Sequence, residues 1–312
     1  MVETILVTGG TGLVGKAIEH ISNNYEYKFV FLSSGDGDLT KFYETDLVFT
    51  LYEPTYVIHL AACVGGLFKN MAQPVNMFEK NMLINMNVLR CCHKYNVRKV
   101  ISCLSTCIFP DRTTYPINEN MLHNGAPHDS NSGYAYAKRM LEVQSRMYCK
   151  QYNVSYVCVI PTNIYGPHDN FSLTDGHVIP SLIHKCYTAK QNDEDFIVLG
   201  TGKPLRQFIY SHDLAELLMW TLNSYNDIEP IILSVSEDQE QSIECVSKMI
   251  AKEYDYEDRI VFDNSYSDGQ YKKTADNSKL TQLHGQYNFT SLDKGIKETI
   301  EWFNTNYNRV RK

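Results

Sequence analysis

The sequence predicts an α/β fold: a doubly wound parallel sheet with a smaller α/β part on its C-terminal side. Three observations carry this. Short apolar runs rich in β-branched residues alternate with stretches of helical periodicity through the first half of the chain. A glycine-rich turn, Gly9 to Gly15, joins the first such run to the first helix. After Gly166 the alternation weakens, which marks a second part.

In order, Thr4 to Val7 reads as the first strand, followed by a helix from Lys16 to about Ile21. Tyr27 to Leu32 is the second strand. Ser33 to Asp38 is a turn, and a helix of roughly a dozen residues starts at Leu39. Tyr56 to Ala62 is a buried strand ending in small residues. Pro74 to Tyr95 is a long helix opened by proline. Val100 to Leu104 is a strand, continued as an extended polar-ended segment to Phe109 and stopped by Pro110. A loop reaches Ser132, and a helix covers Gly133 to Tyr152. Ser155 to Ile160 is a strand closed by Pro161 to Pro167. Then come a helix at His177 to Lys190, a strand at Phe196 to Leu199 and a turn at Gly200 to Pro204. Further helices run over His212 to Leu222, Ser242 to Glu253 and Leu292 to Asn304. No repeat, low-complexity segment or flexible linker separates the parts. The C-terminal part is therefore expected to pack on the first and supply the substrate side of a cleft.

Composition narrows the class. The chain has 312 residues, 43% of them hydrophobic, enough for a sizeable core. A net charge of −7 and a pI near 5.8 argue against nucleic-acid binding. The nine cysteines form no CxxC pair and no zinc spacing with histidine, so most read as small core residues. Met1-Val2-Glu3-Thr4 opens no signal peptide, and no apolar run approaches the roughly 20 residues of a membrane span. A reduced, cytoplasmic protein without membrane partners is expected.

Gly9-x-x-Gly12-x-x-Gly15, between strand and helix, is the pattern of a Rossmann-type dinucleotide loop. Glycines allow a tight turn and close approach of a pyrophosphate to backbone amides, and the helix end adds partial positive charge. Gly9, Gly10, Thr11, Gly12, Leu13, Val14 and Gly15 are thus cofactor candidates. NAD-preferring folds place an acid after the second strand. Here Ser33 and Ser34 stand there, with no carboxylate to repel a 2′-phosphate, so NADP(H) is favoured. Asp38-Leu39 could flank the adenine, or Asp38 could cap the next helix.

Tyr134 and Lys138 lie four apart on a predicted helix and share a face. A free tyrosine has a pKa of about 10. A nearby ammonium would lower it, so the phenol could exchange a proton with a carbonyl oxygen while hydride moves at the adjacent carbon. Ser105, at a strand end, would hydrogen-bond the same oxygen, and Lys138 would also hold the cofactor ribose. Tyr136 is a rival, but faces elsewhere.

These residues resemble the extended short-chain dehydrogenase/reductases. The match is closest to the GDP-L-fucose synthase family, through His59-Leu60-Ala61-Ala62-Cys63-Val64-Gly65-Gly66, Ser105 to Pro110, Pro161 to Phe171, Gly176 to Pro180, Arg206 to Ser211, and Ser267-Asp268-Gly269-Gln270. The resemblance implies 3,5-epimerisation and then NADPH-dependent 4-reduction of GDP-4-dehydro-6-deoxy-D-mannose. It implies Ser105, Tyr134 and Lys138 as the reductase set and Cys107 with His177 as the epimerisation acid–base pair. Ala61, Ala62, Pro161, Thr162, Asn163, Ile164 and His177 would line the cofactor. Asn163, Lys185, Leu199, Arg206 and Asp268 would meet the GDP-sugar. Residues 1–167 would be the NADP-binding domain, with returns around 205–235, and 168–312 mainly the substrate part. Related enzymes pair the two long helices into a four-helix homodimer seam. Two departures stand out. Leu199 replaces a frequent tryptophan, and Ser34-Gly35 replaces a basic residue found in some members.

The chemistry fits these residue types. A ketone at carbon 4 acidifies the hydrogens on carbons 3 and 5, and inversion needs a base and an acid on opposite faces. In an extended segment Cys107 lies on the same side as Ser105, with Thr106 facing the interior. A free thiol has a pKa of about 8.5, which nearby positive charge lowers. His177 opens a predicted helix, where the dipole disfavours imidazolium and makes the ring a readier donor.

Competing readings are weaker. A 4,6-dehydratase places an acidic pair just after the strand-end hydroxyl, where this chain has Thr106-Cys107 and no carboxylate until Asp111. A plain 4-epimerase needs no Cys/His pair, and a dinucleotide-sensing scaffold often lacks the tyrosine or lysine. Arg206 could grip a phosphate or form a surface ion pair. His168 and Asp169 read equally as loop structure or substrate contacts. Asn81 could support the lysine through a water, with Asn85 and Asn87 as rivals.

Overall fold

The computed structural model describes residues 2–266, 268 and 270–312; Met1, Ser267 and Gly269 lie outside the described residues. Its strands are β1 Thr4–Thr8, β2 Lys28–Phe31, β3 Tyr56–His59, β4 Lys99–Cys103, β5 Ser155–Pro161, β6 Asn163–Tyr165, β7 Phe196–Leu199, β8 Leu205–Arg206, β9 Phe208–Tyr210, β10 Ile231–Leu233, β11 Gln241–Ser242 and β12 Ile260–Asp263. Its α-helices are α1 Leu13–Ile21, α2 Phe42–Tyr52, α3 Leu67–Ala72, α4 Pro74–Lys94, α5 Ser132–Tyr152, α6 Val178–Asn192, α7 Ser211–Ser224, α8 Ile243–Glu253, α9 Ser278–His284 and α10 Leu292–Asn306.

Six strands form one parallel sheet in the order β10-β5-β4-β3-β1-β2. The chain leaves β1 for β2 on one side and returns to β3 on the other. That reversal opens a crevice at the carboxyl ends of the strands, where ligands bind in such sheets. The strands are near-continuous apolar runs because helices cover both faces. One face packs α4 and α5 through Val88, Leu89, Cys91 and Leu141. The other packs α1 against α7 through Ala17, Ile18, Leu214 and Leu218.

β10 falls in the 205–235 stretch expected to return to the first domain, but the sequence set no strand there: three apolar residues between turns give too short a signal. It adds the sixth strand beside β5. A third core, around Phe171, Phe196 and Phe303, holds α6, α8 and α10 with the short pairs β7–β12 and β6–β9.

The largest local difference lies after β4. The segment expected to stay extended to Phe109 turns at Thr106–Ile108 into a single 3₁₀ turn. Ser105 caps it, its Oγ accepting the Cys107 N–H at 3.5 Å. Pleat alternation stops with β4, so the same-side placement of Ser105 and Cys107 argued from an extended chain does not apply.

Candidate active site

The helix α5 carries Tyr134 and Lys138 into a cleft of about 970 Å³ that runs from the glycine loop to β7 and β8. Lys138 is buried, and its Nζ donates to the Cys103 carbonyl at 2.7 Å, 5.8 Å from the Tyr134 ring centroid. Two further sets of hydrogen bonds fix the helix. His59 bonds Thr8 Oγ1 at 2.8 Å and Asn85 Oδ1 at 3.1 Å, and Asn85 Nδ2 donates to the Ala137 carbonyl at 3.3 Å. Burial first, then the Lys138 charge, push the His59 ring down to about 3, so it is neutral. Arg139, next to Lys138, donates through Nε and Nη2 to the Ile108 carbonyl and through Nη1 to the Gly125 carbonyl at 2.8 Å. It locks the Thr106–Ile108 turn to α5. Asn81 bonds the Cys63 backbone at both its amide and its carbonyl, at 2.9 Å each. Asn87 donates to the Leu39 carbonyl. The three asparagines therefore hold chain, and none bonds the lysine.

Ser105 and Thr106 line the cleft. Thr106, expected to face the interior, lies on the wall because the turn swings it outward. Cys107 instead borders a small adjoining pocket of about 20 Å³ with Gln270 and Lys273, and Thr106 is common to both. Burial pushes the Cys107 thiol up, against the pull of the Ser105 hydroxyl, Lys273 and Lys138. Burial raises the Tyr134 phenol well above 10 and lowers Lys138 and Lys273. The depression of Tyr134 expected from a neighbouring ammonium is absent: desolvation first, then the Cys107, Cys103 and Cys63 thiols, all push the phenol up. Burial thus drives Cys107, Tyr134, Lys138 and Lys273 toward their neutral forms, a cluster of shifted groups of the kind found where protons are transferred.

The glycine loop fits a dinucleotide. Gly9 has φ +69, and a Cβ there would lie 2.9 Å from the Ala61 nitrogen. A Cβ on Gly15 would lie 2.4 Å from the Gly10 carbonyl oxygen, so α1 could not approach the loop. Gly12 precedes α1 without a side-chain cap, leaving the helix end to a ligand. Thr11, Leu13, Val14, Ser33, Ser34, Leu39, Ala61 and Ala62 line the cleft. Gly10 stands behind them, its N–H donating to the Leu32 carbonyl at 2.8 Å. At the far end Pro161, Thr162, Asn163 and Ile164 line it as well. Thr162 Oγ1 there is buried with no hydrogen-bond partner among the described residues, as a site for a polar cofactor group requires.

The end of β2 is not free of carboxylate. Asp36 folds back so that Oδ2 accepts both the backbone N–H and the hydroxyl of Ser33 at 2.7 Å. This short turn contact corrects the sequence reading and leaves Ser34 as the hydroxyl without that engagement. Asp38 lines the cleft, and its Oδ1 accepts Thr40 N at 3.0 Å and Thr40 Oγ1 at 2.7 Å, bracing the turn before α2.

On the opposite wall stand His177, Leu199, Arg206 and Asp268. His177 is the residue before α6 and makes no capping bond. Arg206 is no surface ion pair. Burial lowers it, and it donates to the Leu205 and Gln270 carbonyls at 2.7 Å each. Asp268 accepts the Thr201 N–H and hydroxyl, both at 2.7 Å. Its neighbours Ser267 and Gly269 in the expected motif lie outside the described residues. Lys185 is half-buried on α6 and does not border the cleft. His168 packs on Trp302 at 4.4 Å as loop structure, whereas Asp169 is buried and lines the cleft. Lys273, on the small pocket, and Arg311, on the cleft, are groups that sequence reasoning missed. Both stand on loops far along the chain, where nothing local marks a lysine or arginine as buried or inward.

Residues 5–235 match the NAD dependent epimerase/dehydratase family. The chain is 54% identical over 312 residues to GDP-L-fucose synthase of Dictyostelium discoideum, covering 99% of this chain and 98% of that protein. It is 31% identical to GDP-L-fucose synthase of Escherichia coli K12, covering 99% of each. A crystal structure of a GDP-L-fucose synthetase from Naegleria fowleri bound to NADP superposes with a TM-score of 0.95 at 52% identity, covering 99% of this chain and 95% of that one.

Proposed function

The chain belongs to the NAD dependent epimerase/dehydratase family and, within it, to the GDP-L-fucose synthases, and from that premise we propose how its residues divide the reaction. The substrate is GDP-4-dehydro-6-deoxy-D-mannose and the product GDP-L-fucose. Two half-reactions are served from the cleft and from the small pocket that shares Thr106 with it. Cys107 and His177 exchange protons at carbons 3 and 5, and Tyr134, Lys138 and Ser105 serve the ketone. Bound NADPH supplies the hydride. The observation that carries the reading is that Tyr134, Lys138, Ser105 and His177 line one cleft with the glycine loop, Lys138 Nζ lying 5.8 Å from the Tyr134 ring centroid.

Ser105 Oγ and the Tyr134 hydroxyl hydrogen-bond the carbon-4 oxygen. That polarises the ketone, makes the flanking C–H bonds acidic and stabilises the enolate charge. Cys107 removes a proton and His177 returns one from the other face. When the ketone is reduced, Tyr134 donates its proton to the oxygen, and the Lys138 ammonium stabilises the phenolate left behind. Asn163, Leu199, Arg206 and Asp268 face the GDP-sugar, with Lys185 behind them on α6. Residues 1–167 carry the cofactor, and 168–312 most of the substrate contacts.

The test is a product assay. Full-length protein with the keto-deoxy sugar nucleotide and NADPH yields GDP-L-fucose, and NADH supports the reaction less well. Absence of that product with either cofactor overturns the assignment.

The protein works as a cytoplasmic homodimer. Among the described residues no helix is long and apolar enough to cross a membrane, and all nine cysteines are free thiols. Val75, Phe78, Leu83 and Met86 on α4 are exposed along one face, as are Tyr136 and Met147, three turns apart on α5. Paired with the same face of a second copy, they give a four-helix seam. Leu83→Glu is expected to yield a monomer by light scattering; an unchanged dimer mass places the seam elsewhere.

A further inference from the structure

One buried carboxylate in the cleft has no task so far. Asp169 is 4% exposed. Its Oδ1 accepts the Asn170 backbone N–H at 2.7 Å. Its Oδ2 is sealed from solvent with no hydrogen-bond partner among the described residues. A buried carboxylate oxygen without a donor is costly, so a group that moves into place is expected to fill it. Asp169 lines the cleft together with His177, Asp175 and Arg311. His177, the Asn170 N–H and Arg311 favour its charged form. Burial outweighs them and raises its pKa from 3.8 to about 6. Arg311 is engaged elsewhere, donating through Nη2 to the His168 carbonyl at 2.7 Å. The His177 ring makes no capping bond to α6.

We propose that Asp169 is the positioning residue for His177: its Oδ2 accepts one ring N–H and turns the other ring nitrogen toward the sugar. This rests on the reading of His177 as the epimerisation acid. When the enolate carbon is protonated, the new C–H bond takes the proton from the sugar-facing nitrogen of the imidazolium. The N–H held by Asp169 stays, the ring is left neutral, Asp169 remains a carboxylate, and solvent restores the proton. A carboxylate in this place both fixes the ring and favours its charged form.

Asp169→Asn keeps an oxygen for the Asn170 N–H and nearly the same volume, and removes the acceptor. The test uses the full chain saturated with NADP. Nitrogen-15 NMR of the wild type is expected to show an exchange-protected imidazole N–H, assigned to His177 by its loss in His177→Gln. Asp169→Asn loses that signal and slows solvent-deuterium incorporation into the sugar at least tenfold. A purely structural role would leave the ring N–H in place. Persistence of the signal in Asp169→Asn, or unchanged deuterium incorporation, overturns the proposal. If that variant does not fold, the wild type decides. The signal should fade reversibly as the pH falls below about 6, where Asp169 takes a proton; a signal that never appears also overturns it. Because the NMR signal needs no turnover, its loss is distinguishable from a wild type that makes no GDP-L-fucose.

Discussion

Tyr134→Phe is expected to cut ketone reduction by about 10²–10⁴-fold, the range for losing a positioned proton donor. The ring stays and only the hydroxyl goes, so the buried pocket keeps its packing. Burial holds the phenol protonated in the resting protein, and that proton is the one the alkoxide needs. Loss of the hydroxyl leaves Ser105 as a lone donor to the ketone. Solvent-deuterium exchange at the sugar should therefore fall much less than NADPH oxidation. Stopped-flow absorbance follows the second and mass spectrometry of recovered substrate the first. Unchanged NADPH oxidation would remove Tyr134 from the reaction.

Cys107→Ser is expected to abolish inversion, again by about 10²–10⁴-fold, while leaving slow ketone reduction of the uninverted sugar. A hydroxyl is a far poorer base than a thiol. Lys273 and Lys138 pull the Cys107 thiol toward its anion against burial, but neither can make an alkoxide. The product in this variant should carry the unchanged stereochemistry at carbons 3 and 5, read by proton NMR coupling constants. Full inversion by Cys107→Ser would transfer the base role to another residue on the wall.

The sequence revealed what is local. Gly9, Gly12 and Gly15 are readable because a tight turn and a close helix approach forbid side chains there, whatever the distant surroundings. Tyr134 and Lys138 are readable because four residues make one helical turn. The turn at Thr106–Ile108 was not. It depends on Arg139, thirty-odd positions later in the chain, gripping the Ile108 carbonyl. Asp36 is not legible because its effect comes from a side chain folding back on Ser33, not from strand register. Lys273 and Asp169 needed the assembled fold, since burial and charge balance belong to neighbours from several elements. The same holds for Arg206, whose donors go to backbone carbonyls of residues 270 and 205.

The buried link from Thr8 through His59 and Asn85 to Ala137 also sets an acid limit on the protein. In the native state the His59 ring resists a proton until about 3, against its ordinary 6.5. An unfolded chain accepts that proton from about 6.5 downward. The contribution of this ring to stability is whole above about 6.5 and erodes as the pH falls toward about 3. What aligns the catalytic helix with the glycine loop at neutral pH thus also makes the fold vulnerable to acid.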